Sequence, residues 1–261
     1  MYEAHPVFIS PSDSNVKIWR YLDIAKYLSL LEKKSLFFTR ADLLGDPFEG
    51  SLPSTQGQIN LTEVIKQQTA KSFGLSPDQI ASPTSIHEGI RRNVFVCGFH
   101  MNDYESAALW SIYSKASQGV AIQSTFSRLK DCFKDYSKNS VHIGKMNYID
   151  YNTEIIDVFK NTLFPIVHKR KSFEHEKELR AVIFYPKEFY HVLSSDPPVG
   201  TYDSSDNRGI YANVDLNILI ERIYVAPTTE PWVKELLNSI TQRYGIDKSI
   251  EQSSLDANPI I

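Results

Sequence analysis

Cysteine is scarce in this sequence: its 261 residues include only Cys97 and Cys132. Two cysteines are too few for a disulfide framework or a cysteine-based zinc site. Cys97 lies in the apolar run of residues 94–99, which is typical of a buried small hydrophobic side chain. A chain of this length buries roughly 70–75% of its unfolded surface on folding, so we expect a hydrophobic core without covalent staples.

Long apolar runs and an excess of one charge are also missing. The sequence has no run of about 18 apolar residues, so it predicts no membrane span. Its first residues have neither the basic nor the apolar segment of a signal peptide. The chain has 28 Lys and Arg against 31 Asp and Glu, a formal net charge of −3. This balance excludes coating of nucleic acid through overall charge but leaves a local basic site open. We expect a cytoplasmic globular protein without a membrane partner.

Several common enzyme motifs are absent as well. The sequence has no Walker P-loop, no G-x-G-x-x-G and no G-x-S-x-G, which are the signatures of large nucleotide-binding and hydrolase classes. Its 7 histidines show no metal-ligand spacing. We therefore predict no metal cofactor.

The patterns that are present predict a β-α-β opening. Residues 17–21 form a β-prone run, Asp23 can cap a helix that continues to about Glu32, and residues 35–40 return as a strand. Further strands are expected at 94–99, 119–123, 142–148, 181–185, 222–227 and 249–252. Further helices are expected at 105–113, 126–133 and 154–164, and a last one begins at Pro231 with Thr229 as its cap.

The domain organisation follows from these elements. Residues 1–16 are polar and are expected to be loosely ordered, and residues 17–261 are expected to form a single α+β domain. A polar insertion at about 51–92 includes a predicted helix over 61–73, and the loop at 194–208 is expected to be mobile. The sequence thus predicts a mixed or antiparallel central sheet with helical insertions.

The segment from Phe173 to Arg180 carries the most chemistry. On a strand, Glu176, Glu178 and Arg180 would project from one face, because side chains alternate with a period of two. Two carboxylates held side by side would raise the pKa of one of them, which suits acid–base work or stabilisation of a cation. The alternative is a solvated strand edge whose carboxylates pair with Arg180 and Lys177.

A basic run precedes these carboxylates. Lys169, Arg170 and Lys171 could hold phosphates while the carboxylates perform the chemistry. The alternative is a solvated helix end, where cations favour the negative end of the helix dipole.

Aromatic residues and turn residues supply further candidates. Arg20 lies between Trp19 and Tyr21, and a strand would bury the two aromatic rings while Arg20 clamps a diphosphate on the other face. Tyr113 follows Trp110 by three residues, so both lie on one side of a helix, as core or as a stacking platform. Residues 46–50 predict a tight turn whose Asp and Glu could bind a metal, ribose hydroxyls or the local backbone.

These motifs occur in a fixed order: W-R-Y at 19–21, T-R at 39–40, D-P-F-E-G at 46–50, W-S-x-Y at 110–113, G-V at 119–120 and F-x-x-E-x-E-x-R at 173–180. Together they resemble a widespread bacterial domain family of unknown function, from about residue 17 to the end of the chain. That resemblance implies no activity.

A more remote resemblance, to the ADP-ribosyltransferases, rests on the β-α-β opening and the late Glu-x-Glu at a strand start. It implies the ADP-ribosyltransferase fold, NAD as co-substrate, and Glu178 in the catalytic place with Glu176 assisting. The NAD-binding residues that it implies are Arg20, Tyr21, Thr39, Arg40 and Tyr113. It also implies that Lys169, Arg170 and Lys171 bind the acceptor.

The same resemblance suggests a biological role. Bacterial enzymes of this kind are often toxins or antiphage defence effectors, so the expected acceptor is RNA or DNA and the expected protein partner is a neutralising antitoxin. Two alternatives stay open. A metal-dependent nuclease could use Asp42, Asp46, Glu49 and Glu178, and a non-catalytic module could hold a nucleotide or a partner through the basic run and the aromatic residues.

Overall fold

The computed structural model describes residues 1–53, 83–113, 119–156, 163–185 and 208–257, together with positions 67, 70, 71, 76 and 161. These parts of the chain form a mixed α+β fold. The strands are β1 (Lys17–Asp23), β2 (Ser35–Arg40), β3 (Val94–Met101), β4 (Gly119–Thr125), β5 (Val141–Lys145), β6 (Asn147–Ile149), β7 (His168–Arg170), β8 (Glu178–Phe184), β9 (Gly209–Asn213), β10 (Arg222–Val225) and β11 (Ile250–Gln252). The α-helices are α1 (Ile24–Lys33), α2 (Pro83–Asn93), α3 (Ala107–Tyr113), α4 (Phe126–Asp131), α5 (Leu216–Leu219) and α6 (Pro231–Arg243).

The main sheet divides at its central strand, β3. One edge of β3 pairs with β8 along its whole length, and β8 pairs in turn with β5. Two strands share the other edge of β3. Strand β1 pairs with Met101 and His100 of β3, and strand β2 pairs with Val96 and Phe95 of β3. The sheet continues from β1 through β4 and β10 to β11, and from β2 to β9. Residues 97–99 of β3 therefore face a split between β1 and β2.

Strand direction is largely antiparallel. The pair β10–β11 is parallel, and β6 and β7 form a small separate parallel sheet. The expectation of a single α+β fold with a mixed, largely antiparallel sheet is confirmed.

The largest core covers one face of the sheet. Ile18 and Leu22 on β1 pack in it with Phe95 and Phe99 on β3, under helices α1 and α4. Helix α1 begins where predicted, since the Asp23 side chain accepts a hydrogen bond from the backbone N–H of Lys26 at 2.7 Å. This cap satisfies a backbone donor at the helix start and fixes the turn out of β1.

Several sequence predictions need correction. The predicted cap of α6 is wrong, because Pro231 occupies the first turn and the preceding residue Glu230 takes the N-cap position instead of Thr229. The strand predicted over 142–148 is two strands, because β5 pairs with β8 whereas β6 pairs with β7. The division of this strand comes from long-range pairing, which local propensity does not contain.

Three other predicted segments lie partly or almost entirely outside the described residues. Residues 154–156 are not helical, residues 157–160 and 162 lie outside the described residues, and residues 164–167 form a 3-10 turn. The helix predicted over 61–73 and the loop at 194–208 fall almost entirely outside the described residues. In the predicted insertion, helix α2 is the main described element.

The N-terminal segment is attached to the sheet rather than loosely ordered. The N–H of Val141 bonds to the Met1 carbonyl and the N–H of Lys145 to the Ile9 carbonyl, both at 2.9 Å. Phe8 is buried in a second core on the other side of the sheet. The physical reason is that β5 lies at an edge of the sheet, where its backbone groups need partners.

Among the described residues, none of the helices has both the length and the apolar composition needed to cross a membrane.

Candidate functional site

A cleft of about 670 Å³ opens at the split between β1 and β2. Strands β1, β2, β3 and β8 and helices α1 and α3 contribute residues to its wall. The sequence-predicted site residues in that wall are Arg20, Tyr21, Thr39, Tyr113, Lys169, Glu176 and Glu178. The predicted residues Arg40, Arg170 and Lys171 are not part of it. The fold thus gathers side chains that lie up to 158 positions apart in the sequence.

Arg20 lies at the split itself. Its Nη1 donates a hydrogen bond to the Gly98 carbonyl, and its guanidinium lies 5.4 Å from the centre of the Phe99 ring. Gly98 faces the split on this edge of β3, so Arg20 supplies the partner that a neighbouring strand would otherwise provide. The contact places a cation in the wall of the cleft.

Buried charges also line the cleft, and Glu178 among them lies against Gly98. We call Glu49, Lys169, Glu176, Glu178 and Arg180 the charge cluster. Nε of Arg180 donates to Oε1 of Glu178 at 2.7 Å, and its Nη2 donates to Oε2 at 3.0 Å. Nη2 of Arg180 also contacts Glu49, and its Nη1 donates to the Ile166 carbonyl at 3.0 Å. All of these guanidinium contacts are buried, so Arg180 anchors the cluster inside the fold.

Lys169 connects the remaining members of the cluster. Its Nζ lies 2.6 Å from Oε2 of Glu176, 3.2 Å from Oε2 of Glu178 and 3.6 Å from Oε1 of Glu49. Three carboxylates thus surround two cations, which leaves one net negative charge in a buried site. Such a site favours a ligand group that is positive or becomes positive during reaction.

The pKa values of the cluster follow from these contacts. Burial alone would raise the pKa of Glu178, but Arg180 and Lys169 outweigh it and lower that pKa to about 2. Burial alone would lower the pKa of Lys169, but Glu178 and Glu49 raise it. The sequence predicted that neighbouring carboxylates would raise one pKa; for Glu178 this is wrong, because the two cations dominate.

The local backbone around Glu176 also differs from the prediction. Residues Lys171–Glu176 form a 3-10 helix, and Lys177 ends it in the left-handed region at φ 39°. Strand β8 begins only at Glu178, so Glu178 and Arg180 share a strand face but Glu176 does not. Glu176 reaches the cluster through the turn, where its side chain meets Lys169.

The predicted basic run does not form one surface. Lys169 is buried in the charge cluster, whereas Lys171 is exposed and lies 3.5 Å from Glu154. Arg170 donates from Nε to Asp46 at 3.0 Å and lies 4.5 Å from the centre of the Phe48 ring. The short strand β7 causes this division, because successive side chains point to opposite sides of a strand.

Aromatic side chains flank the cleft. Tyr21 is buried edge-on against Trp110 with ring centres 5.0 Å apart, and its hydroxyl accepts a hydrogen bond from the Ser106 N–H. Burial raises the pKa of Tyr21. Tyr113, on the same helix as Trp110, is 42% exposed in the cleft wall. Burial of its hydroxyl, followed by the charge of Glu176, raises the pKa of Tyr113.

Two other NAD-contact predictions have different outcomes. Thr39 pairs with Val96 on β3 and lines the cleft at the split. Arg40 points elsewhere, because its Nε donates to Oδ1 of Asp42 at 2.6 Å beside the cleft. Arg40 therefore serves the turn after β2.

The nuclease alternative required four carboxylates, and each is bonded to an arginine. Asp42 pairs with Arg40, Asp46 with Arg170, and both Glu49 and Glu178 with Arg180. Within the described part of the chain, no group of three or more His, Cys, Asp or Glu side chains is arranged to hold a metal ion.

Sequence reasoning missed His100 as a site residue. His100 ends up in the cleft wall beside the cross-strand neighbours Trp19 and Glu178. Its only sequence signal is its register, because alternation along β3 places it on the face of Val94, Val96 and Gly98, opposite the face that carries Phe95 and Phe99. A single histidine without a motif does not reveal that placement.

Comparison of the chain with protein-family models, with curated proteins and with solved structures finds no significant match.

Proposed function

We propose that this protein is an NAD-dependent ADP-ribosyltransferase and that NAD binds in the cleft at the sheet split. One observation carries the proposal: Arg20, Tyr113 and the pair Glu176 and Glu178, from three separate parts of the sequence, line the same cleft. The ADP-ribosyltransferase-like fold is part of the proposal. Its support is the β-α-β opening, the split sheet, and a glutamate at the first position of β8.

The distribution of charge suits the two halves of NAD. Its diphosphate is an anion, and Arg20 offers a planar set of donors at the split. Its nicotinamide ring is a cation, and the charge cluster carries one net negative charge. We therefore place the diphosphate near Arg20 and the nicotinamide ribose near Glu176 and Glu178. Tyr21 and Tyr113 supply apolar surface between these two ends.

The proposed chemistry is cleavage of the bond between nicotinamide and ribose. The bonding electrons leave with nicotinamide, and positive charge develops on the ribose. A nucleophilic oxygen or nitrogen of the acceptor, or water in hydrolysis, then forms the new bond to that carbon and releases its proton to solvent. A carboxylate near that carbon gains more in the transition state than in the ground state, so it accelerates the step. Glu178 stays ionised because its pKa is about 2. It therefore contributes fixed negative charge and no proton transfer.

The two glutamates divide this work. Both carboxylate oxygens of Glu178 accept hydrogen bonds from Arg180 or Lys169, and the side chain is 9% exposed. The Glu176 side chain is 19% exposed and bonds to Lys169 through Oε2. Glu176 is thus the group that we propose approaches the ribose, which exchanges the roles that the resemblance implies for the two glutamates, while Glu178 holds the cluster negative and orients Lys169.

The proposed acceptor is a nucleic acid, and the proposed biological role is that of a toxin or antiphage defence effector. The acceptor rests on the resemblance, since Arg170 and Lys171 lie outside the cleft and pair with Asp46 and Glu154. In this role a neutralising antitoxin would be the protein partner. Expression of the wild type would arrest bacterial growth, and Glu176→Gln would relieve that arrest.

The test is transfer and hydrolysis of labelled NAD in the presence of cell extract. Wild type should consume NAD and label nucleic acid, and Glu176→Gln should lower the rate at least about a hundredfold, as expected for loss of one transition-state interaction. The matched control is Glu174→Gln, an exposed glutamate two residues away, which should retain the wild-type rate.

Two outcomes would contradict the proposed activity. If wild type neither turns over NAD nor gains thermal stability from millimolar NAD, the proposal fails. If NAD binds but Glu176→Gln turns it over at the same rate as wild type and the Glu174→Gln control, the cleft is a non-catalytic nucleotide-binding site.

A further inference from the structure

His100 has an unsatisfied nitrogen in the cleft wall. The side chain is 6% exposed, and its Nε2 is buried with no hydrogen-bond partner among the described residues. Buried polar atoms are almost always hydrogen-bonded, and an orphan costs roughly 1–3 kcal/mol. The position of His100 between Trp19 and Glu178 makes this orphan part of the candidate site.

The other ring nitrogen determines which tautomer is present. Nδ1 lies 2.6 Å from the backbone carbonyl oxygen of Glu176. A carbonyl can only accept, so Nδ1 carries the hydrogen and donates it. Burial lowers the pKa of His100 and outweighs the opposing effect of the hydrogen bond to the Glu176 backbone, and the charges of Lys177 and His175 act in the same direction as burial. The ring is therefore neutral at pH 7, and Nε2 presents a lone pair.

A lone pair selects the chemistry of its partner. Nε2 can accept from an O–H or N–H group but repels phosphate oxygens, which also carry lone pairs. Glu178 lies opposite His100 on the paired strand β8. Its carboxylate can only accept, and both of its oxygens already accept hydrogen bonds from Arg180. The missing partner must then be a donor from the ligand, and sugar hydroxyls are the donors that a nucleotide brings.

We propose that Nε2 of His100 accepts a hydrogen bond from a ribose hydroxyl of the bound ligand, which makes His100 a specificity-determining residue of the cleft. The inference rests on the proposed function only for the identity of the ligand as NAD. The hydrogen bond from Nδ1 of His100 to the Glu176 backbone carbonyl also couples the ribose contact to the turn that carries Glu176. A ribose in place would thereby help to hold that glutamate.

Two isosteric substitutions separate the two nitrogens. Asparagine at this position keeps a donor near the place of Nδ1 and removes Nε2, while glutamine keeps an acceptor near the place of Nε2 and loses the inner donor. We expect His100→Asn to bind NAD and ribose 5-phosphate about ten- to a hundredfold more weakly than wild type. His100→Gln should bind both within about threefold of wild type and melt at a lower temperature.

Calorimetry measures the affinity of each protein for three probes, which are NAD, ribose 5-phosphate and inorganic phosphate. Affinity for inorganic phosphate should be the same in wild type and His100→Asn. If that affinity falls as much as the affinity for ribose 5-phosphate, or if His100→Asn binds the sugar probes as wild type does, the ribose contact is refuted.

The same probes distinguish this inference from the proposed function. If ribose 5-phosphate binds in a His100-dependent manner and NAD does not bind, the NAD-dependent activity fails and the ribose contact stands. If NAD binds and His100→Asn leaves the affinity for NAD unchanged, the ribose contact fails and NAD binding in the cleft stands. Binding of neither probe overturns both.

A spectroscopic measurement covers the case in which His100→Asn fails to fold. In wild-type protein with ¹⁵N-labelled histidine, the Nε2 resonance of His100 should be that of an unprotonated nitrogen. It should shift on addition of ribose 5-phosphate and stay unchanged with inorganic phosphate. A protonated Nε2 in the free protein would contradict the proposal.

Discussion

Nε of Arg180 donates to Oε1 of Glu178 at 2.7 Å along the same face of β8, and both side chains are buried. The guanidinium keeps the carboxylate ionised inside the fold, because a buried charge is tolerated only when it is paired and hydrogen-bonded. Arg180 also reaches Glu49, which lies 131 positions earlier in the chain. One arginine thus joins β8 to the turn that follows β2.

The first prediction concerns the loss of that arginine. Arg180→Met should lower the free energy of unfolding by roughly 3–5 kcal/mol, because it leaves the carboxylates of Glu178 and Glu49 buried and less compensated. Urea denaturation followed by circular dichroism measures the change. The control is Arg222→Met on β10, which removes an exposed ion pair with Glu251 on β11 and should cost less than about 1 kcal/mol. Equal costs for the two variants would contradict the anchoring role of Arg180.

The second prediction concerns stability in acid. Glu178 has a folded-state pKa of about 2 against 4.5 for the free side chain, so the unfolded state binds a proton first as the pH falls. Its contribution is complete above about pH 5 and is lost as the pH falls towards 2, a difference on the order of 3 kcal/mol. Urea titrations at pH 7, 4 and 3 measure it.

Glu178→Gln is the matched variant for this measurement. It should be less stable at pH 7 and lose less stability than wild type between pH 5 and pH 3. If wild type and Glu178→Gln show the same slope of stability against pH, other carboxylates account for the acid sensitivity.

Some of this architecture is readable from local pattern. The cap at Asp23 and the alternation of Trp19, Tyr21, Glu178 and Arg180 follow from rules that act within a few residues. In the alternative interpretation of the 173–180 segment, the pairing of a carboxylate with Arg180 is correct for Glu178. The solvated strand edge is wrong, because β8 lies between β3 and β5 and both side chains are buried.

Other parts depend on distant contacts and escape such rules. Glu176 leaves the strand because Lys177 adopts a left-handed conformation, and lysine carries no turn signature. Lys169 is buried because β7 pairs with β6, a register that no local periodicity encodes. The unpaired Nε2 of His100 emerges only when β1, β3 and β8 are assembled.

The third prediction concerns Gly98, which faces the split. A Cβ at this position would lie 2.8 Å from Oε1 and 3.2 Å from Cδ of Glu178. Glu178 cannot retreat freely because Arg180 and Lys169 hold its carboxylate, so Gly98→Ala should cost about 1–3 kcal/mol of stability. It should also weaken NAD binding, measured by thermal shift.

The chain supplies a control within the same cleft wall. A Cβ at Gly45 would meet nothing within 4 Å, so Gly45→Ala should leave stability and binding near the wild-type values. If Gly98→Ala is as harmless as Gly45→Ala, the charge cluster has more room than its contacts indicate.

The fourth prediction concerns the attachment of the N-terminal segment at Gly144 on β5. A Cβ there would lie 2.7 Å from the backbone C and Cα atoms of Phe8, so Gly144→Ala forces the two backbones apart. The amide of Lys145, which donates to the Ile9 carbonyl, should then exchange its hydrogen at least about tenfold faster. Hydrogen exchange read by NMR or mass spectrometry measures this change. Adding Phe8→Ala should not restore protection, because the clash involves backbone atoms. If the double variant regains slow exchange at Lys145, the ring of Phe8, rather than its backbone, sets the spacing.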